Sequence, residues 1–191
     1  DQQTCENQNG ICSGSTKPLS LCINGSWAAC GSSQYVNHHA DYEVAVELSC
    51  DGQDNDCDNN IDEDFSLTLL NNETRTGVGA SCGVGTCVGG TTQCNAAQTG
   101  IVCTSESNAT LEVCDSADND CDGATDANDA ADLLANDAQS CENQTGVCDG
   151  AAKPASLCFN GAWQTCTNDE YLSHNNSFEG NAEQTCDGID N

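Results

Sequence analysis

The chain has 191 residues, with three Lys and Arg against 31 Asp and Glu, a formal charge of -28, and 17 Cys, 18 Gly and no Met. Aromatic residues make up only 4%, which excludes one large apolar core and directs the reading to small modules held by disulfides or metals. The charge excludes recognition of a nucleic-acid backbone, which needs Lys and Arg, and leaves no basic patch for an anionic membrane.

Self-repulsion at this charge opposes compaction, and composition alone would describe a disordered acidic chain. The number and regular spacing of the cysteines argue against that, and predict that cations neutralise part of the charge in the folded state. So many cysteines point to an oxidising compartment. The chain has no initiator Met, no signal peptide and no apolar run long enough to span a bilayer. The expectation is a mature exported product, or a fragment of one, located outside the cell or on its surface.

In chain order, the first unit covers residues 1–64. It opens with CENQNGICSGSTKPLSLCINGSWAAC from Cys5, where Asn24-Gly25 between short apolar stretches signals a tight hairpin. The unit closes in the acidic run CDGQDNDCDNNIDED at Cys50–Asp64. A shorter unit, residues 65–130, starts with FSLTLL, a candidate strand at Phe65–Leu70. It carries Cys82, Cys87, Cys94 and Cys103, and ends in CDSADNDCDGATDAND from Cys114. Ala130–Leu134 reads as a short helical turn. The third unit, residues 131–191, repeats the first without a gap: Cys5 maps onto Cys141, Cys22 onto Cys158, Trp27 onto Trp163 and His38 onto His174. It stops at CDGIDN, inside its own acidic loop. The fold class expected is therefore small, disulfide-rich, mainly β-hairpin and irregular repeat modules with calcium-binding acidic loops, strung in tandem.

The second acidic loop has Asp-x-Asp-x-Asp-Gly spacing, as in an EF-hand calcium loop. Alternate carboxylates point inward, Gly allows the turn, and a later acid closes the shell. Asp118, Asp120 and Asp122 take positions one, three and five. Ala124 offers its carbonyl, and Asp126 and Asp129 take nine and twelve. In the first loop the candidates are Asp54, Asp56, Asp58, Asn60, Asp62 and Asp64. Asn59 stands in place of the Gly, and Asn also tolerates a left-handed backbone. Glu63 is an alternative closing acid. Glu47 with Asp51, and Glu112 with Asp115, lie just ahead of the loops as further donors. The started third loop offers Asp187 and Asp190. Hard oxygen donors at this density favour Ca2+ over zinc or copper.

The pattern Glu-x-x-CDGxDNDCDGxxDED resembles the MopE-type metal-binding repeat family of exported bacterial proteins. Glu47, CDGQDNDC at Cys50–Cys57 and Asp62-Glu63-Asp64 carry the match. CDSADNDCDG at Cys114–Gly123 follows it with Ser116 in place of Gly, and CDGIDN at Cys186–Asn191 is its first half. The resemblance implies metal binding and export. Some members are associated with copper, but this chain has no Met and its three His lie outside the motifs.

His38, His39 and His174 are expected to be exposed or packed in turns, and Trp27 and Trp163 to form the small cores of their modules. Cys50-x6-Cys57 and Cys82-x4-Cys87 lack the spacing of zinc sites, so disulfides are expected. The simplest pairing closes each acidic loop on itself, Cys50 with Cys57 and Cys114 with Cys121, and leaves Cys186 unpaired. No nucleophile elbow, phosphate loop or zinc-protease helix is present, and there is little apolar material to build a catalytic pocket, so no enzyme is expected. The functional expectation is a non-catalytic extracellular structural or adhesive protein, a subunit of a surface fibre or filament. Its partners would be calcium ions, and copies of itself or a continuation of the same repeat chain. A calcium-dependent carbohydrate- or protein-binding module and a metal scavenger are the alternatives. Neither nucleic acid nor membrane insertion is expected.

Overall fold

The computed structural model describes residues 2–180, 182, 184 and 190. Two compact units are present: Asp1–Gly83 with Gly89–Ser107, and Val84–Val88 with Asn108–Asn191.

In the first unit, β1 (Cys22–Ile23) and β2 (Ser26–Trp27) form the expected hairpin. Its turn residues Asn24 and Gly25 both have positive φ, 52° and 82°, as a two-residue hairpin that follows the strand twist requires. Helix α1 (Ser32–His38) follows. The predicted strand near Phe65 is β3 (Ser66–Thr68), paired antiparallel with β4 (Thr74–Thr76). A three-stranded sheet then runs in the order β5 (Ser81–Cys82), β6 (Gly90–Cys94), β7 (Ile101–Cys103). In the second unit, α2 (Ala130–Asn136) extends the predicted helical turn. The pair β8 (Cys158–Phe159) and β9 (Ala162–Trp163) repeats the first hairpin in the same register, and α3 (Asn168–His174) repeats α1.

Helices α1 and α3 had no clear sequence signal, because their polar stretches carry only one anchoring residue each, Tyr35 and Tyr171. Each start is fixed locally: Gln34 Oε1 accepts the Gly31 amide, and Glu170 accepts the amide and hydroxyl of Thr167. The cores are correspondingly small. One contains Tyr35 with Cys5, Cys12 and Cys57; its repeat contains Tyr171 with Cys141, Cys148 and Ala151. Tyr35 Oη accepts the Asn7 amide, and Tyr171 Oη the Asn143 amide. The expectation that the tryptophans pack into module cores holds for Trp163 and fails for Trp27. Trp163 packs at the edge of a separate cluster of Leu133, Ala155 and Cys158, and half-buried Trp27 joins no cluster.

Among the described residues seven disulfides hold these modules. Three close a module on itself: Cys5–Cys30, Cys82–Cys103 and Cys141–Cys166. The local closure expected for the acidic loops is overturned. Cys50 bonds to Cys94 and Cys114 to Cys158, each 44 residues further on. Cys57 instead reaches back to Cys12, and Cys121 to Cys87. Successive Asx turns wind the loop between its two cysteines, and Cys57 and Cys121 both lie in the left-handed region, at φ 68° and 65°. The two sulfurs of each loop therefore leave it for different neighbours. The expectation of a single unpaired cysteine also fails. Among the described residues Cys22 and Cys148 are free, and Cys186 lies outside them.

Candidate metal centres

Each acidic loop is gripped from two sides. Behind it is a 3-10 turn starting at a glycine, Gly10 or Gly85; ahead of it is a hairpin that receives its first cysteine. The Ile11 amide donates to the Asp54 carbonyl at 3.2 Å, and the Thr86 amide to the Asp118 carbonyl at 3.0 Å. The Val147 amide, beside Gly146, donates to the Asp190 carbonyl at 2.9 Å in the same way. The approach is close enough to demand glycine. At Gly85, φ 55°, a Cβ would stand 2.4 Å from the Asp118 carbonyl oxygen and side chain; at Gly10, φ 46°, it would stand 2.2 Å from the Asp54 carbonyl. Gly85→Ala is expected to lower stability by about 2–4 kcal/mol, combining overpacking with backbone strain. Gly79→Ala, at φ 86° with nothing within 4 Å, would carry the strain alone. Urea unfolding of the two variants separates these effects.

The two loops share an irregular backbone. Gly52 and Ser116, Cys57 and Cys121, Asn59 and Gly123, and Asp62 and Asp126 all have positive φ. Asn59 thus adopts the conformation expected of its position, at φ 79°. The amide at the sixth position donates to the first aspartate: Asn59 to Asp54 Oδ2 at 3.0 Å, and Gly123 to Asp118 Oδ2 at 3.1 Å. In both loops the other oxygen of that aspartate, Oδ1, is buried and has no hydrogen-bond partner. Buried polar atoms left this way are rare and call for an explanation.

Carboxylates converge around these atoms. In the first loop Glu47, Asp54 and Asp56 offer oxygens within 4.8 Å of one another, and Asp56 joins Glu63 and Asp64 in a second such group. Glu47 is 3% exposed. Its Oε1 accepts the Asn55 amide at 2.8 Å, while Oε2, like Glu63 Oε2, is buried without a partner. In the second loop the group is Asp120, Asp122, Asp129 and Asp132, with Asp129 Oδ2 unpartnered. Glu112, 0% exposed, is fully engaged by the amides of Asn119 and Asp126 and acts as a brace.

Other candidates sit differently. Asp62 and Asp126 turn their carboxylates to the start of their own loops. Asp62 accepts the amides of Asp51 and Gly52, and Asp126 those of Asp115 and Ser116. The oxygens they bring near sulfur face Cys50 with Cys94 and Cys114 with Cys158; these are disulfides and offer no thiolate. Exposed Asp58 accepts from the Asn60 amide and side chain, and Asp122 from the Ala124 amide. Asp187 lies outside the described residues. Sequence reading passed over Asp132. It stands on the first turn of α2, three residues after Asp129, and that helical spacing was the available signal.

Crowding shows in the proton affinities. Burial, reinforced by the Glu63 and Asp62 carboxylates, pushes Glu47 up to about 7. Burial with Asp132, Asp122, Asp120 and Glu112 nearby pushes Asp129 up to about 6. Asp56, Glu63 and Asp120 are raised for the same reasons, burial first. No side-chain cation relieves them, since Lys17, Arg75 and Lys153 are paired with Glu6, Glu73 and Glu142. His38 and His174 donate Nε2–H to the Ser13 and Asp149 carbonyls at 2.9 Å, and His38 and His39 line an open cavity with Asp54 and Asn59 of the first loop.

This arrangement defines a class: a disulfide-stabilised protein whose repeated acidic loops carry the donors of a metal site. The chain matches the Cu-binding MopE family, described as "Putative metal-binding motif", over residues 40–63, 105–127 and 175–191. The three matched stretches contain the three acidic loops or their beginnings, and the resemblance read from the sequence holds there. No curated protein and no solved structure was found to match the chain. Among the described residues no helix is long and apolar enough to cross a membrane.

Proposed function

We propose that the protein is a non-catalytic, extracellular structural or adhesive repeat protein whose acidic loops hold calcium. The observation that carries this reading is the repeated state of the first aspartate. In both loops one oxygen is fixed by the sixth-position amide while the other is buried and unpartnered; Asp54 belongs to a group of converging carboxylates, and Asp118 stands close enough to such a group to raise the proton affinity of Asp120. A hard cation would satisfy these atoms and neutralise the cluster. Glu47, Asp54, Asp56, Glu63 and Asp64 would hold it in the first loop, and Asp118, Asp120, Asp122, Asp129 and Asp132 in the second. All of these donors are carboxylate oxygens, with no imidazole, thioether or thiolate among them, which favours calcium over copper. Disulfides and bound ions together would make each module rigid and protease-resistant, as suits a surface fibre.

Chelation tests this. Glu47 and Asp129 have their proton affinities raised in the folded chain, so the chelated protein holds protons that the unfolded chain has released. Stability is then greatest below about pH 4.5 for these groups and falls as pH rises through about 7. In EDTA the Tm is expected to drop between pH 4.5 and 7.5. In 10 mM calcium that drop disappears, and at pH 7.5 the Tm rises by about 5–15 °C over EDTA, as expected for a site saturated at millimolar affinity. Equal Tm values with and without chelator at pH 7.5 would reject calcium loading.

A further inference from the structure

The forward disulfides follow a rule that one cysteine leaves unmet. The first cysteine of an acidic loop bonds to the cysteine of a hairpin 44 residues on, at Cys94 and again at Cys158. Cys22 holds the same place in its hairpin as Cys158 does. The pairings Cys22 with Trp27 and Cys158 with Trp163 are identical, yet Cys22 is exposed and free.

The second unit shows what belongs on that face. Leu133 of α2, 0% exposed, packs on Ala155 and Cys158, with Cys114 and Trp163 around it. Asp137 Oδ2 accepts Trp163 Nε1 at 2.8 Å and the Cys114 amide at 3.2 Å. The Asp115 backbone and Ser116 press on the turn, so that a Cβ at Gly161 would stand under 3 Å from both. Among the described residues the face around Cys22 has none of these contacts. Leu19, in the place of Ala155, is 84% exposed, against 7% for Ala155. Gly25, in the place of Gly161, has nothing within 4 Å. Trp27 Nε1 donates to no described residue. Lys17, Pro18, Leu19, Cys22 and Trp27 line an open groove there.

We propose that this face of the β1–β2 hairpin is the docking surface for an acidic loop and its following short helix from a further unit of the same repeat, sealed by a disulfide from that loop's first cysteine to Cys22. The occupant is defined by chemistry: a Cys-Asp start and an apolar residue for the groove at the place of Leu133; in the repeat register the place of Asp137 falls on Asp1 of this chain. Because Leu19 is larger than Ala155, the occupant's apolar residue is smaller than Leu, or Leu19 yields to it. The inference goes beyond calcium loading and does not depend on which ion the loops hold.

The probe is a peptide of residues 111–137 with Cys121→Ser, its Cys114 carried as a mixed disulfide with glutathione. The Cys22 thiolate attacks the Cys114 sulfur. The new S–S bond forms as the old one breaks, and glutathione leaves as a thiolate that takes up the proton Cys22 gave up, so no outside oxidant is needed. With the intact chain, in calcium and in EDTA, capture at Cys22 is expected to be at least about tenfold faster than for a peptide scrambled after Cys114 or carrying Leu133→Asp. Leu19→Ala in the chain should speed it further, and Trp27→Ala should slow it. A second variant guards against a peptide too short to dock. Residues 105–136, with Cys121→Ser, are fused ahead of Asp1, which sets the added Cys114 44 residues before Cys22. The chain is then refolded with oxidised glutathione. A Cys22–Cys114 bond that Leu133→Asp in the added segment prevents upholds the proposal. Scrambled or Leu133→Asp segments reacting equally well in both experiments overturn it, as does preferential formation of Cys22–Cys22 dimers between whole chains.

Discussion

Asp118→Ala is expected to lower calcium affinity at the second loop on the order of 100-fold or more and to reduce the ions held by the described loops from two to one. The residue does three things at once. Its carbonyl takes the Thr86 amide, Oδ2 fixes the turn at Gly123, and Oδ1 is the buried unpartnered atom. Substitution by Ala keeps the first and removes the other two. Asp126→Ala provides the contrast. Its carboxylate is already occupied by the amides of Asp115 and Ser116, so its loss leaves buried donors unmatched and lowers stability by about 1–3 kcal/mol with both ions still bound. Calcium titration of the two variants, each with a parallel unfolding curve, separates a ligand from a brace. Equal loss of binding in both would show that the loop fails as a whole.

Replacing Cys12 and Cys57 together by Ala is expected to destabilise the first unit by about 4 kcal/mol, from the loop-closure entropy of a 45-residue span. Both cysteines are 1% exposed and lie against Tyr35, so a small cavity adds to the loss. The bond also fixes the acidic loop to the turn at Gly10. Beyond it the hydrogen bonds from Ile11 to Asp54 and from Asn7 Nδ2 to the Cys57 carbonyl hold that side. Calcium affinity at the first loop should therefore fall with stability, because binding must then order the loop. Denaturant unfolding with and without calcium measures both effects. A change below about 1 kcal/mol would mean that the loop is organised from within.

What the sequence disclosed was what depends on near neighbours. Asn24-Gly25 and Asn160-Gly161 gave hairpins because two positive φ values in a row are a local demand that Asn-Gly meets. Asn59 could be read as left-handed for the same reason, and the short helix after Ala130 was visible. Long-range choices were hidden. Nothing local at Cys50 states that its partner lies 44 residues ahead, and loop closure over seven residues looked simpler. Only the repeat of the 44-residue spacing at Cys114 exposes the rule, and that is a comparison between sites. The candidate ligands illustrate the same limit. Alternation marked Asp54, Asp56, Asp118, Asp120 and Asp122, which stand in or beside the carboxylate groups. Asp62 and Asp126 fit the same spacing, yet positive φ turns them onto the loop's own amides. Asp132 entered the second group through a helix that sequence spacing within the loop did not include.

The most direct test of the account is a calorimetric calcium titration of the chelated, disulfide-intact chain at pH 7.5, followed by addition of equimolar copper(II). Two calcium ions held by the described loops, and retained when copper is added, are expected. Absence of calcium uptake, or displacement of calcium by copper from these carboxylates, would contradict it.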